Sequence, residues 1–349
     1  MDGWCSTQLL GCANISFAVK LKHLTFLGAV LCSATVCAFS QKQQELWVAS
    51  THKKYGYIDA RGKVAIAFQY DFAWDFSEGL APVWEGSQAG FIDTAGHLVI
   101  PMRFQGARDF HGGLAAVQMN GLWGFIDKRG NFVAGPGYPE VHDCSEGLAA
   151  FLAEGKWGYL DRGGQVAIRP QYDLAGDFSE RLAPAYSNTK CGYINERGAA
   201  VIPVKYEKCE SFSQGLAPVR LDYSWGFIDH SGNIKIAPRF DEANGFSEGV
   251  AAVAERGKWG YIDLSGTYVM AAKFRSASHR PAADRFSEAK ACVRPGDKWG
   301  FIDKAGAFVI DPGYVRCGTF RGGLAEVCDT ALHCGYINQQ GKYVWAAEP

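Results

Sequence analysis

The groups in this chain able to do chemistry are mostly periodic. Glu78, Glu146, Glu180, Glu248 and Glu288 each follow a Phe-Ser or Cys-Ser pair, recurring with a period of 34 residues that some copies skip and one stretches to 40. Two facing carboxylates would suit glycoside hydrolysis, and a ladder of them would suit a cation such as calcium. One carboxylate per repeat is too sparse for either unless stacking brings copies together, so solvated or turn-capping glutamates are expected. The eight histidines (23, 52, 97, 111, 142, 230, 279, 333) are scattered, with no pair at zinc-protease spacing. No Cys-x-x-Cys pair, Gly-rich phosphate loop or Gly-x-Ser-x-Gly elbow is present. The expectation is therefore no catalytic residue, no metal and no cofactor.

Three sets of residues stand outside this pattern. Trp74, Trp84 and Tyr223 are non-periodic aromatics of the kind that stack on sugars. Arg275, His279, Arg280 and Arg285 make one segment locally basic, suited to an anionic partner. Seven cysteines lie beyond residue 40 (144, 191, 209, 292, 317, 328, 334), an odd number that leaves at least one unpaired. Cys328 and Cys334 flank a turn and are placed to pair across it. Cys209 and Cys317 hold equivalent positions in different copies and are too far apart to pair with each other. Most of the seven read as small buried apolar residues.

The elements that must hold these groups are copies of one unit. Gly-[Phe/Tyr]-[Ile/Leu]-[Asp/Asn] recurs at Gly56, 90, 124, 158, 192, 226, 260, 300 and 335, with six spacings of 34, then 40 and 35. A second string, close to Phe-Ser-Glu-Gly-Leu-Ala, keeps the same period from Phe76 to Phe320. Every copy has Asp or Asn followed three residues later by Gly, as in Asp161/Gly164. That pair makes a hairpin turn, because the Asx side chain caps backbone N–H groups and Gly accepts positive φ. Strands such as Trp123 to Asp127 and His97 to Ile100 flank the turn, and one such as Leu80 to Val83 precedes them. Each unit reads as a three-stranded antiparallel meander plus a connector such as Tyr172 to Phe178.

Trp recurs before the motif glycine at 123, 157, 225, 259 and 299, and is expected as core between units. The glycine beside it is expected to let a neighbouring aromatic lie flat on the strand. An odd strand count reverses the chain, so the connector must either cross back, giving an open superhelical stack, or add a fourth strand, giving propeller blades. Nine blades exceed the usual four to eight, which favours the open stack. A lone unit buries too little to offset its ordering entropy, so the units must stack. The 40-residue spacing puts an insertion in the connector at 275–285.

Lys20, Lys22 and His23 precede the uncharged run 24–40, a basic flank and apolar stretch that read as a secretory signal over residues 1–40, cleaved after Ala38 or Ser40. An uncleaved N-terminal anchor is the alternative. Residues 1–18 are too uncharged for a leader start, which suggests initiation near Val19. Removing 1–40 leaves 33 basic and 35 acidic residues, with no basic stripe to follow a nucleic acid.

The repeats at Lys156–Leu160, Lys258–Asp263 and Lys298–Asp303 (KWGYL, KWGYID, KWGFID) resemble the WG-repeat, or KWG-repeat, family. The resemblance covers residues 46–345 as nine repeats. Ala89, Cys191 and Cys334 depart from it at the Trp position, and Cys144 at the Phe position. It implies an all-β interaction array and transfers no catalytic residue. The expected protein is exported to the periplasm, envelope or medium. There it serves as a non-catalytic scaffold for a protein or envelope component, with a carbohydrate-binding surface protein as the alternative and a cell-surface hydrolase behind both. Membrane contact is expected only through an uncleaved N-terminal segment.

Overall fold

The computed structural model describes residues 45–275 and 282–347. The leader or anchor expected over 1–40, and with it the start near Val19, lies outside the described residues, as do His279 and Arg280. Among the described residues no helix is long and apolar enough to cross a membrane.

Nine antiparallel sheets follow one another along the chain. They occupy residues 47–70, 72–104, 106–138, 148–172, 174–206, 208–240, 242–275, 291–314 and 316–346, and are called blades 1 to 9. Blade 5 shows the plan. A two-residue strand, Leu174–Ala175, pairs with Leu182–Ser187, which pairs with Lys190–Asn195, which pairs with Ala200–Tyr206. The turn after the third strand is the one expected. Asn195 Oδ1 accepts from the N–H groups of Arg197 and Ala199, both at 3.0 Å, and Gly198 takes φ +76°.

The open stack is corrected by this first strand. Six blades have it, and in blades 4 and 8 a single bridge (Val141 to Phe151, Ala283 to Val293) takes its place. It restores an even strand count in these eight blades, blade 1 keeping three described strands, so successive blades enter and leave in the same sense and the stack curves into a closed ring. The structure is a nine-bladed β-propeller. Closure joins blade 9 to blade 1: Trp47, Ala49 and Ile58 pack with Leu324 and Tyr336, Tyr336 O–H donates to Val48 O at 2.8 Å, and Trp47 Nε1–H donates to Arg321 O at 3.2 Å.

The motif glycine has a different reason from the one expected. In eight blades the last two strands slip register at it, and in blade 9 one pair further on; the backbone of the last strand fills the space a side chain would need. Only at Gly335 does an aromatic ring, that of Tyr343, also come close. The Trp before it does belong to the core between blades at 157, 225 and 259, where exposure is 4%, 8% and 1%. Trp123 and Trp299 are half-buried beneath the guanidinium groups of Arg108 and Arg294. The fourth strand is the free edge of each sheet, and Pro101, Pro136, Pro170, Pro203, Pro238 and Pro312 blunt it against pairing with another chain.

Adjacent blades are bonded by the second repeated string. Ser145, Ser179, Ser213 and Ser247 each donate a hydroxyl to the carbonyl of the Phe in the next blade, at 2.7 Å. The glutamate beside the serine caps the following blade's turn: Glu78 accepts from Gly113 N–H at 3.0 Å, and Glu146 from Glu180 and Arg181 N–H at 2.8 Å. The periodic carboxylates are therefore braces between blades, neither a cation ladder nor merely solvated.

Candidate functional site

Each connector runs from a fourth strand into the next blade and ends at the Phe of the second string. The residue two before that Phe has its main chain used in the same way in many blades. Trp74, Gly176, Glu210 and Asp284 each offer their carbonyl to a buried Tyr hydroxyl of the preceding blade, at 2.6 to 2.8 Å. Its side chain is not used in a repeating way. Read around the ring, that position is Trp74, Arg108, His142, Gly176, Glu210, Asn244, Asp284 and Gly318. The next position is Asp75, Asp109, Asp143, Asp177, Ser211, Gly245, Arg285 and Thr319.

In blades 6, 7 and 8 these two positions line a cavity of about 830 Å³, bounded by residues of blades 5 to 9. Five consecutive blades touch this cavity, which is called axial below. Glu210, Asn244, Asp284 and Arg285 face it, with Phe212, Phe246 and Trp299 as apolar wall. Its Ser179, Ser213 and Ser247 hydroxyls are committed to blade-to-blade bonds, which leaves the charged groups, Ser211 and Asn244 to meet a ligand. Burial and lost solvent raise the Glu210 carboxyl pKa, against a smaller opposing pull from Lys208. A second cavity, about 420 Å³, shares Glu210 and Ser211 and holds a His142–Asp177 contact at 3.0 Å.

Further round, Asp109 is half-buried, with its buried Oδ1 lacking a hydrogen-bond partner. Burial is the main cause that pushes its pKa up to about 6. His111 and Arg321 oppose the rise, and the carboxylates of Asp75 and Asp143 add to it. A carboxyl raised in the fold stabilises it fully below about pH 4 and loses that contribution as pH climbs through 6. Asp109→Asn is therefore expected to gain stability relative to the parent between pH 4 and 7. The gain is about 2 kcal/mol once residual solvent screening is allowed for. Urea unfolding at pH 4 and pH 7 checks this; a pH-independent difference refutes it.

Of the residues singled out from the sequence, Arg285 lines the axial cavity and Arg275 ends a fourth strand in blade 7, exposed. Trp74 and Trp84 are brought together. With Phe72 and Tyr55 they form a cluster at centroid distances of 5.1 to 6.5 Å, with Phe72 41% and Trp74 39% exposed. Tyr223 stands apart at a hairpin tip of blade 6, its ring under Arg220.

Cys328 and Cys334 are joined by a disulfide across their hairpin. Two further disulfides, Cys191–Cys209 and Cys292–Cys317, tie blade 5 to 6 and blade 8 to 9. The small-apolar expectation thus fits Cys144 alone, which is buried and unpaired. Cys191 and Cys334 replace the expected Trp because each position carries half of a disulfide.

Glu210, Asn244 and Asp284 went unnoticed in the sequence. Their signal is variation at a fixed position inside an otherwise repeating unit.

Sequence comparison matches the WG containing repeat (WG_beta_rep) over residues 55–84, 90–123, 123–157, 157–190, 192–223, 225–259, 259–299 and 299–329. A search of curated proteins gave no match. Among solved structures, one described as the eukaryotic initiation factor superposes with a TM-score of 0.64 at 11% identity, covering 88% of this chain and 96% of its own. BamB from Moraxella catarrhalis gives 0.45 at 13% identity, covering 69% and 86%. Dihydro-heme d1 dehydrogenase NirN gives 0.45 at 16% identity, covering 78% and 74%. At such identities the first likeness concerns fold alone, and the other two carry no argument.

Proposed function

We propose that this chain, which belongs to the WG-repeat family, is an exported, non-catalytic scaffold that holds a partner protein or envelope component at its axial cavity. One observation carries the reading. Positions that brace the ring repeat from blade to blade, whereas the connector position two before the Phe differs in nearly every blade and the next one, Asp in four blades, becomes Ser211, Gly245 and Arg285 around the cavity. A structural role alone would let them repeat; a specific ligand requires them to differ. Its size, about 830 Å³, is that of a ligand pocket or a slot for one protruding segment. The three disulfides support export, since such bonds persist in oxidising compartments. The non-catalytic reading draws support from the recurring serines and glutamates, which are committed between blades.

A photo-crosslinking residue at Asn244, compared with one at exposed Lys235 on a fourth strand, tests this in intact cells of the source organism. A discrete adduct at Asn244, lost with Arg285→Ala, is expected. Equal labelling at both sites overturns the scaffold reading, as does turnover of an envelope ester or glycoside that Glu210→Gln abolishes. The Phe72, Trp74 and Trp84 cluster favours a second reading, carbohydrate binding, which a glycan array with Trp74→Ala as control decides.

A further inference from the structure

Two of the three disulfides tie neighbouring blades, and the third does not. Cys191–Cys209 and Cys292–Cys317 close spans of 18 and 25 residues across blade interfaces. Cys328–Cys334 closes a span of 6 inside one hairpin of blade 9. Its two cysteines face each other directly in the ladder between strands 324–328 and 334–338, with Cα atoms 4.0 Å apart. Asp329 holds the turn between them without help from sulfur: its carboxylate accepts from Ala331 N–H at 2.8 Å and His333 N–H at 3.0 Å. A cross-link stabilises chiefly by restricting the unfolded chain, and more so for a longer span. Here the span is the shortest of the three and the hairpin already holds the pair together, so this bond adds least to the fold. A disulfide that stabilises the fold less is, by the same free energy, easier to reduce. From the 1.5-power dependence on span alone, the difference is about fivefold.

Access selects one sulfur of the pair. Cys191, Cys209, Cys292 and Cys328 are buried, whereas Cys317 and Cys334 are half-buried. Of those two, only Cys334 belongs to a bond that no blade interface depends on. We propose that Cys328–Cys334 is a thiol–disulfide exchange site, at which an outside thiol joins the ring through Cys334. Neither sulfur lines the axial cavity, so the site is independent of whatever that cavity holds. The attacking thiolate bonds to Cys334 Sγ, the S–S bond breaks, and its electron pair leaves on Cys328 Sγ. That sulfur takes up the proton the attacking thiol gave to solvent. A monothiol stops there, as a mixed disulfide. The second thiol of a dithiol attacks the reductant's own sulfur in the mixed disulfide, and the pair leaves on Cys334 Sγ, which is protonated in turn. The chain then holds two thiols and the reductant has become a disulfide. The blade-to-blade bonds persist throughout, so the ring can carry a thiol-bearing partner without opening.

Redox titration of the whole oxidised chain tests this, with dithiothreitol as dithiol and glutathione as monothiol. Samples are acid-quenched, alkylated and mapped by peptide mass spectrometry. Cys328 and Cys334 are expected to become alkylatable at a reduced-to-oxidised dithiothreitol ratio about fivefold or more below that needed by either interblade pair. Far-UV signal and radius of gyration should stay as in the oxidised chain at that point. Brief glutathione treatment should place the adduct on Cys334 about tenfold more often than on Cys328. Given oxidised glutathione, Cys328→Ala should take an adduct at Cys334, whereas Cys334→Ala, whose remaining thiol is buried, should not. The assignment is overturned if an interblade pair opens first or together with this one, or if the glutathione falls mainly on Cys328. It is equally overturned if reducing this bond alone expands the ring.

Discussion

Replacing Gly192 by alanine is expected to cost about 3 kcal/mol or more, enough to unfold blade 5 well before the rest of the ring. A Cβ built at Gly192 falls 2.7 Å from Pro203 C and 2.8 Å from Val204 N, and closer still to the Ile202 carbonyl oxygen. All three are backbone atoms, so no side chain can swing aside. The fourth strand could retreat only by giving up its bulge. The pairs that flank the bulge, Cys191 with Tyr206 and Tyr193 with Ile202, hold it from both sides, and the Cys191–Cys209 bond restrains one of them further. Gly135 provides the control: an added Cβ there meets nothing within 4 Å, and its φ is not positive, so Gly135→Ala should change stability by less than about 0.5 kcal/mol. Denaturant unfolding followed by far-UV signal separates the two. Equal midpoints for Gly192→Ala and the parent would show that the bulge yields cheaply and that the recurring glycine has another cause.

That glycine shows how far local chemistry can be read without coordinates. Turn positions were legible because Asx and Gly act within a few residues, and the buried Trp row because burial follows an apolar period. The role of Gly was not, because the atoms that exclude a side chain sit about ten residues later, in a bulge with no distinctive composition. The two-residue first strand was invisible for a similar reason: Leu174–Ala175 is too short to show alternation, yet it decides between an open stack and a ring. The disulfides between blades join different positions of neighbouring copies, Cys191 to Cys209 and Cys292 to Cys317, so comparing like with like misses them. At the candidate site, Arg285 was conspicuous through the broken period around it. Glu210, Asn244 and Asp284 sat in connector positions that the repeat leaves unspecified, and only the fold shows that those positions converge.

Closure itself supplies the second large effect. Blades 1 and 9 come from opposite ends of the repeat array and share no sheet, so the seam rests on side chains. Trp47 is 2% exposed at its centre, and Arg321, which replaces the serine of most other copies, reaches Asp75 at 3.0 Å and Glu45 at 3.8 Å. Trp47→Ala should remove about 3–5 kcal/mol from this one interface, by the usual cost of deleting a buried aromatic. In a nearest-neighbour array that loss stays local: the other interfaces keep their contacts while the ring gains two free faces. Small-angle scattering should then show a larger radius of gyration, with far-UV signal retained, and hydrogen exchange should rise first in the strands 47–51 and 334–338. Tyr336→Phe, which deletes only the bond to Val48 O, should cost about 1 kcal/mol and leave the scattering profile unchanged. A compact profile and unchanged exchange for Trp47→Ala would mean that curvature built into every blade, rather than the seam, keeps the circle shut. In that case the connectors would hold the walls of the axial cavity in place even in a ring without its closing contacts.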